Sequence, residues 1–383
     1  MQILLLALAV RDPHLALLLW GVGLSLPFFA AATFGSLALL NQTGSGITMW
    51  SQFRALGRLI LIATVASWCA YSAYRGTTHF QNLLFWAPPD FSLELFLLVC
   101  YSFDRRLLHL HWSIWRIFWR AWWKIIALAA PLQLLALGSE NLMDRRLGSG
   151  FVCFATAGIV AKLGAGFSRW ADGMKFNFLK SGETRNLANA MAHEMGITLR
   201  RVFIVPAGKG RLTNAFGTGD AIGLTDNLGK YLTREQIKYA IAHELSHVKL
   251  RHGRKHLLFI LTMYLCFALV AFLAAPTRQS YRAMLCVSVI LLPFPLSSAL
   301  SRRMEYDADR AAIAFTQDPE TAIRTLARLL KNRELPEPHD PVSGILATHP
   351  FFEQRVSAIA YGGEVSKSRL EAILSDEGVC PVR

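Results

Sequence analysis

The sequence predicts a multi-span α-helical membrane protein with about seven transmembrane helices, between four and seven, and a small α+β domain set among them. Three observations carry this expectation. Of the 383 residues, 53% are hydrophobic and 17% charged, and the mean hydropathy is +0.33, high for a soluble chain. Apolar runs of bilayer length recur along the chain with Arg and Lys at their edges. One stretch, 169–255, breaks that pattern with short β-prone runs and Gly-rich turns.

Taken in order, residues 15–40 form a charge-free apolar run long enough to cross a bilayer, whereas 1–10 are too few. A second, shorter run is Leu59–Tyr74, between Arg58 and Arg75. The third, about 83–103, contains Pro88-Pro89, Asp90 and Glu94, which suggests a broken or re-entrant segment. Residues 104–124 alternate Arg105, Arg106, Arg116, Arg120 and Lys124 with five tryptophans, as an interfacial amphipathic helix does. Fourth and fifth candidates follow at 122–138 and 149–167.

Beyond the α+β stretch lie two stronger runs, Leu257–Thr277 and Ala283–Ser301, both free of charge. With the 169–255 stretch inside the cell, the basic loops 41–58 and 104–124 also fall inside, as the positive-inside rule favours. The same rule accounts for the net charge of +14. The bases flank apolar runs instead of forming one tract, which argues against a nucleic-acid partner. The six cysteines form no CxxC pair, and five lie within apolar runs. They read as buried hydrophobes, neither a disulfide framework nor metal ligands.

The chemistry is concentrated in Ala240–Lys249. There His243-Glu244-x-x-His247 places two imidazoles four residues apart, on one face of a helix. That spacing lets both reach one zinc ion, with Glu244 beside them as a general base. Thr233 and Gln236 form a capping box that would start this helix. Chance supplies about one such match per hundred chains of this length, so its context decides. His193-Glu194 has no second histidine at the right spacing and reads as a surface pair.

Two histidines leave a catalytic zinc one protein ligand short. A histidine after a nearby glycine fails as the third, because Leu250 and Gly253 stand at those positions. His252, five past His247, falls off the metal-facing side and reads as a helix-end residue. A glutamate from a second helix is another solution, and Glu305-x-x-x-Asp309 fits it, with Asp309 able to hold a ligand histidine. Asp307 is the nearest competitor, and a solvated charged helix is the plain alternative.

His243-Glu-Leu-Ser-His247, two apolar runs, and then Ser301-Arg-Arg-Met-Glu305-Tyr-Asp-Ala-Asp309 resemble the integral-membrane gluzincins. That family includes the HtpX heat-shock protease and the type I CAAX prenyl proteases. Asn214-Ala-Phe216 upstream, with Thr348-His349-Pro350 and Arg355 downstream, extend the resemblance over about 170–360. It implies an α+β zincin peptidase domain holding one Zn2+ on His243, His247 and Glu305, with Asp309 behind them. Glu244 would be the catalytic base and His349 the oxyanion stabiliser. Asn214, Ala215 and Phe216 would pair with an extended substrate, and Arg355 would position the substrate or the site.

On this reading the chain divides into a membrane region (1–168) and a first peptidase segment (169–255). Two transmembrane helices (256–301) and a second peptidase segment (302–383) complete it. The implied activity is zinc-dependent endoproteolysis of membrane or membrane-associated proteins, with lipid-modified peptides as the CAAX-type alternative. The bilayer would be a bacterial inner membrane, with the site on its cytoplasmic side. A transporter or scaffold carrying a degenerate peptidase domain is the alternative from another class, kept open by Glu94 and Lys162 within candidate spans.

Overall fold

A computed structural model describes residues 29–40, 50, 53, 83–107, 113–171, 177–179, 182–205, 215–218, 221–226, 228–273, 285, 288, 292–331 and 347–379. Its Cα positions divide into two units: 1–173 with 259–296, and 174–258 with 297–383. The run at Leu59–Tyr74 and Asn214 lie outside the described residues.

The first unit is helical. α1 is Phe29–Leu40; α2 (Leu83–Leu107), α3 (Ile114–Met143) and α4 (Leu147–Ala171) follow. Two boundaries differ from those the sequence suggests. α2 passes unbroken through Pro88-Pro89, its sixth and seventh residues, and forfeits there the two backbone N–H bonds that proline cannot donate. The tryptophan-rich basic segment from Ile114 and the fourth apolar run are one 30-residue helix, with Pro131 inside it.

α3 and α4 pack as a tight hairpin through Leu135, Ala136, Leu142, Phe154 and Ala157, joined by Ala268 and Ala271. Glycine permits the close approach. A Cβ on Gly150 would lie 2.6 Å from the Leu142 side chain, and one on Gly138 would lie 2.7 Å from the Phe154 ring. Buried Asp104 accepts a hydrogen bond from Trp50 Nε1 at 2.9 Å.

The second unit holds a four-stranded sheet. Its strands are β1 (Asn177–Phe178), β2 (Arg201–Val205), β3 (Ala215–Thr218) and β4 (Ala221–Thr225), in the order β1-β2-β4-β3. β2 and β4 run parallel and the other pairs antiparallel, which leaves β3 at an edge. Every residue of the central β4 is buried. α5 (Glu183–Glu194), α6 (Leu228–Tyr231) and α7 (Arg234–Lys249) complete this half, and α7 packs on β3 and β4.

α8 (His252–Leu273) and α9 (Pro293–Thr316) come next, then α10 (Pro319–Lys331), α11 (Phe352–Gly362) and α12 (Lys367–Asp376). Ile222, Leu224, Ile241, Leu245, Ile323 and Val356 anchor one core beneath α7. Among the described residues α8 alone is long and apolar enough to cross a membrane, so these residues do not supply the seven spans expected. Leu257, Leu261, Leu265, Leu269 and Leu273 form an exposed stripe along it.

Candidate metal centre

α7 starts where its sequence says it should. The Thr233 side chain accepts from Gln236 N, and Gln236 Oε1 accepts from Thr233 N at 2.9 Å. From that start, Tyr239, His243 and His247 recur every four residues and share one face of a mostly buried helix. The Nε2 atoms of His243 and His247 converge to 3.2 Å.

α9 brings the third group. Glu305 Oε2 lies 3.5 Å from His243 Nε2, and Glu305 Oε1 lies 3.5 Å from His247 Nε2. Two ligands of one tetrahedral zinc, each about 2.0–2.1 Å away, stand about 3.3–3.4 Å apart. The three donors therefore fit such an ion, two imidazoles and a carboxylate being a zinc-type set.

One turn past Glu305, Asp309 collects the supports. Tyr239 Oη donates to its Oδ1 at 2.8 Å, while Arg355 Nε and Nη2 donate to Oδ2 and Oδ1 at 2.9 and 2.6 Å. His243 Nδ1 is 2.9 Å from Oδ1, although its ring N–H is not aligned for a full hydrogen bond. His349 Nδ1 touches Glu305 Oε1 at 3.1 Å from a largely exposed side chain. Arg302 Nη1 donates to the carbonyl of Ala347, which ties the Thr348-His349-Pro350 turn to α9. On the other side, His252 Nδ1 lies 2.9 Å from His247 Nδ1.

The electrostatics favour positive charge between the acids. Burial opposes charge on His243, but contact with Asp309 and Glu305 outweighs it and lifts the ring to about 10. Burial, together with the neighbouring charged His243, pushes His247 down to about 3. Burial also opposes the charged forms of Asp309 and Glu305. Arg355 and His243 offset it for the first, His243 and His349 for the second, and both carboxyls stay well below the usual range. Tyr239 is raised far above its ordinary value, by burial first and Asp309 second, and remains a donor.

The structure thus gathers His243, Glu244, His247, Glu305, Asp309, His349 and Arg355 in the second unit. The Arg355 guanidinium is engaged by Asp309 and lies 3.5 Å from Glu305. Ala215 and Phe216 lie in the edge strand β3. His193 and Glu194 end α5 on the surface. Sequence reasoning passed over Tyr239, Arg302 and the contact of His252. Only Tyr239 left a signal, one turn before His243 on the same face.

A buried helix carrying His-Glu-x-x-His, completed by a glutamate from a second helix, defines a gluzincin-type metallopeptidase centre. Residues 179–362, nearly half of the chain, match the family model for peptidase family M48. A protease HtpX homologue of Streptococcus equi subsp. equi is 26% identical over 221 residues, covering 46% of this chain and 72% of the relative. A protease HtpX homologue of Campylobacter concisus is 28% identical over 160 residues, covering 37% of this chain and 54% of the relative. In fold, the chain resembles the crystal structure of S. mikatae Ste24p, with a TM-score of 0.53 and 15% identity. That likeness covers 89% of this chain and 99% of the other. The match over residues 179–362, the likeness to the HtpX homologues and the His-His-Glu site mark the chain as a membrane metalloprotease similar to peptidase family M48.

Proposed function

We propose that the chain is a zinc-dependent endopeptidase that cleaves membrane or membrane-associated proteins, with the site facing the cytoplasm of a bacterial inner membrane. The observation that carries this reading is the convergence of His243, His247 and Glu305, with Glu244 on the same helix. These three residues would hold the ion, and Zn2+ would supply Lewis-acid polarisation of water and of the scissile carbonyl. Glu244 takes the proton released as water attacks and returns it to the departing amine. His349, exposed on its turn, stabilises the oxyanion. Asn214, Ala215 and Phe216 pair with an extended substrate backbone along the edge of β3. Asp309, held by Tyr239 and Arg355, fixes the orientation of His243.

About seven spans are proposed for the whole chain, from the recurring apolar runs in 1–168 and 256–301. The exposed leucine stripe on α8 supports a lipid contact. The HtpX homologues favour protein quality control or processing, while the fold shared with Ste24p keeps lipid-modified peptides as a second substrate class.

The test incubates the purified full chain with a pool of membrane proteins and with a farnesylated peptide, each with and without a zinc chelator. Chelator-sensitive cleavage of the pool alone supports the first substrate class, and of the peptide the second. Glu244→Gln is expected to retain zinc and lose about 10²–10⁴-fold in rate; undiminished turnover would overturn the mechanism.

A further inference from the structure

The two ligand histidines are supported differently. His243 has a carboxylate at its Nδ1, and His247 has another imidazole, at 2.9 Å. We propose that His252 is a positioning residue for the metal centre: its Nδ1 accepts the proton of His247 Nδ1 and so holds His247 in the one tautomer that leaves Nε2 free to bind a metal.

The chemistry of imidazole makes the direction of this contact decisive. A neutral ring carries one N–H and one lone pair. Two facing Nδ1 atoms at hydrogen-bonding distance need one proton between them. If His252 supplied it, the His247 proton would sit on Nε2, which points at His243 and Glu305, and that nitrogen could not ligate. If His247 supplies it, Nε2 offers its lone pair to the metal and His252 carries its own proton on Nε2.

The backbone is built to present His252 in this way. α7 ends at Lys249, and its cap residue Leu250 bonds back to Ser246. Arg251 then adopts a left-handed conformation, φ 55°, and α8 begins at His252. That single reversal folds a residue five positions on against His247, where a continuing helix would have turned it away. The rings meet nearly edge to face, with centroids 4.9 Å apart and planes at 78°. His252 is only 4% exposed. A polar ring is costly to bury on a helix's first turn unless its nitrogen is used.

The inference rests on the zinc reading above, and the experiment separates the two. Full-length wild type, His252→Leu and His252→Asn are purified, stripped of metal, and titrated with zinc against a chromogenic chelator. Asn Oδ1 stands where His Nδ1 does, so it can accept the same proton; a Leu methyl in that place cannot. His252→Leu is expected to weaken zinc binding about 10–100-fold. His252→Asn should recover most of that loss, and the visible bands of the cobalt-substituted asparagine variant should match those of wild type.

Equal zinc affinity in wild type and His252→Leu overturns the role of His252 and leaves the zinc reading standing. So does an asparagine variant as weak as the leucine one. Wild type that takes up no zinc overturns both. If the metal-free leucine variant does not melt cooperatively, His252→Gln replaces it, its acceptor displaced by one carbon. Cobalt bands identical in the Asn and Gln variants then count against the proposal.

Discussion

Asp309 accepts two hydrogen bonds from Arg355 and one from Tyr239 while touching His243. Removing its charge leaves the guanidinium of Arg355 buried with Glu305 at 3.5 Å as the remaining acid beside it. Asp309→Asn is therefore expected to destabilise the metal-free protein by about 3 kcal/mol, the cost of breaking one side of a buried ion pair. Thermal melting in detergent measures this, and an unshifted transition would show that the pair contributes nothing. At this scale His243, Glu244 and His247 were legible because helical spacing alone aligns them, whereas Glu305, on another helix, was read through the resemblance to a family. Tyr239 was not, since an aromatic residue one turn before a histidine reads as ordinary core. Arg302 read as a charge closing an apolar run, and its bond to Ala347 depends on a turn 45 residues away. His252 was discounted because counting residues around a helix assumes that the helix continues, and at Arg251 it does not.

Among the elements, α7 was read correctly to its first residue because its start is a local reciprocal interaction. Gln236 also accepts from Arg328 Nη1 at 3.0 Å, which links this cap to α10. Thr233→Ala is expected to cost about 1 kcal/mol, read as a lower melting temperature and faster amide exchange in the first turn of α7. Zinc affinity should hold, because the ligands lie two turns or more further on. β2 and β4 were legible as apolar β-prone runs between glycines. β1, two residues long, carries no periodicity to read and exists only through its pairing with β2. α3 merges two segments that hydropathy separates, since a window of composition detects polarity and not where a helix ends.

For the whole molecule, the residues matched to the M48 family lie between 179 and 362, while the helices of 29–171 carry no motif of their own. Composition together with the recurring apolar runs made the helical, apolar class of the chain legible. The number of spans was not, because long helices such as α3 combine charged and apolar stretches. The 22-residue α8 has a mean hydropathy of 2.4 in its most apolar window and an exposed row of leucines. The full chain is accordingly expected to stay with the membrane pellet through alkaline carbonate and high-salt washes and to leave it only in detergent. Release by salt would mean that it lies on the bilayer through its charge alone.

The left-handed joint at Arg251 makes chain length a design constraint where side-chain identity is not. Arg251→Gly removes the steric cost of that conformation, about 1 kcal/mol, and is expected to leave zinc uptake unchanged. Inserting one alanine after Arg251 turns every later position of α8 by about 100° around the helix axis. The insertion should carry His252 away from His247 and lower zinc affinity as far as His252→Leu does. At this corner the protein keeps count of its residues.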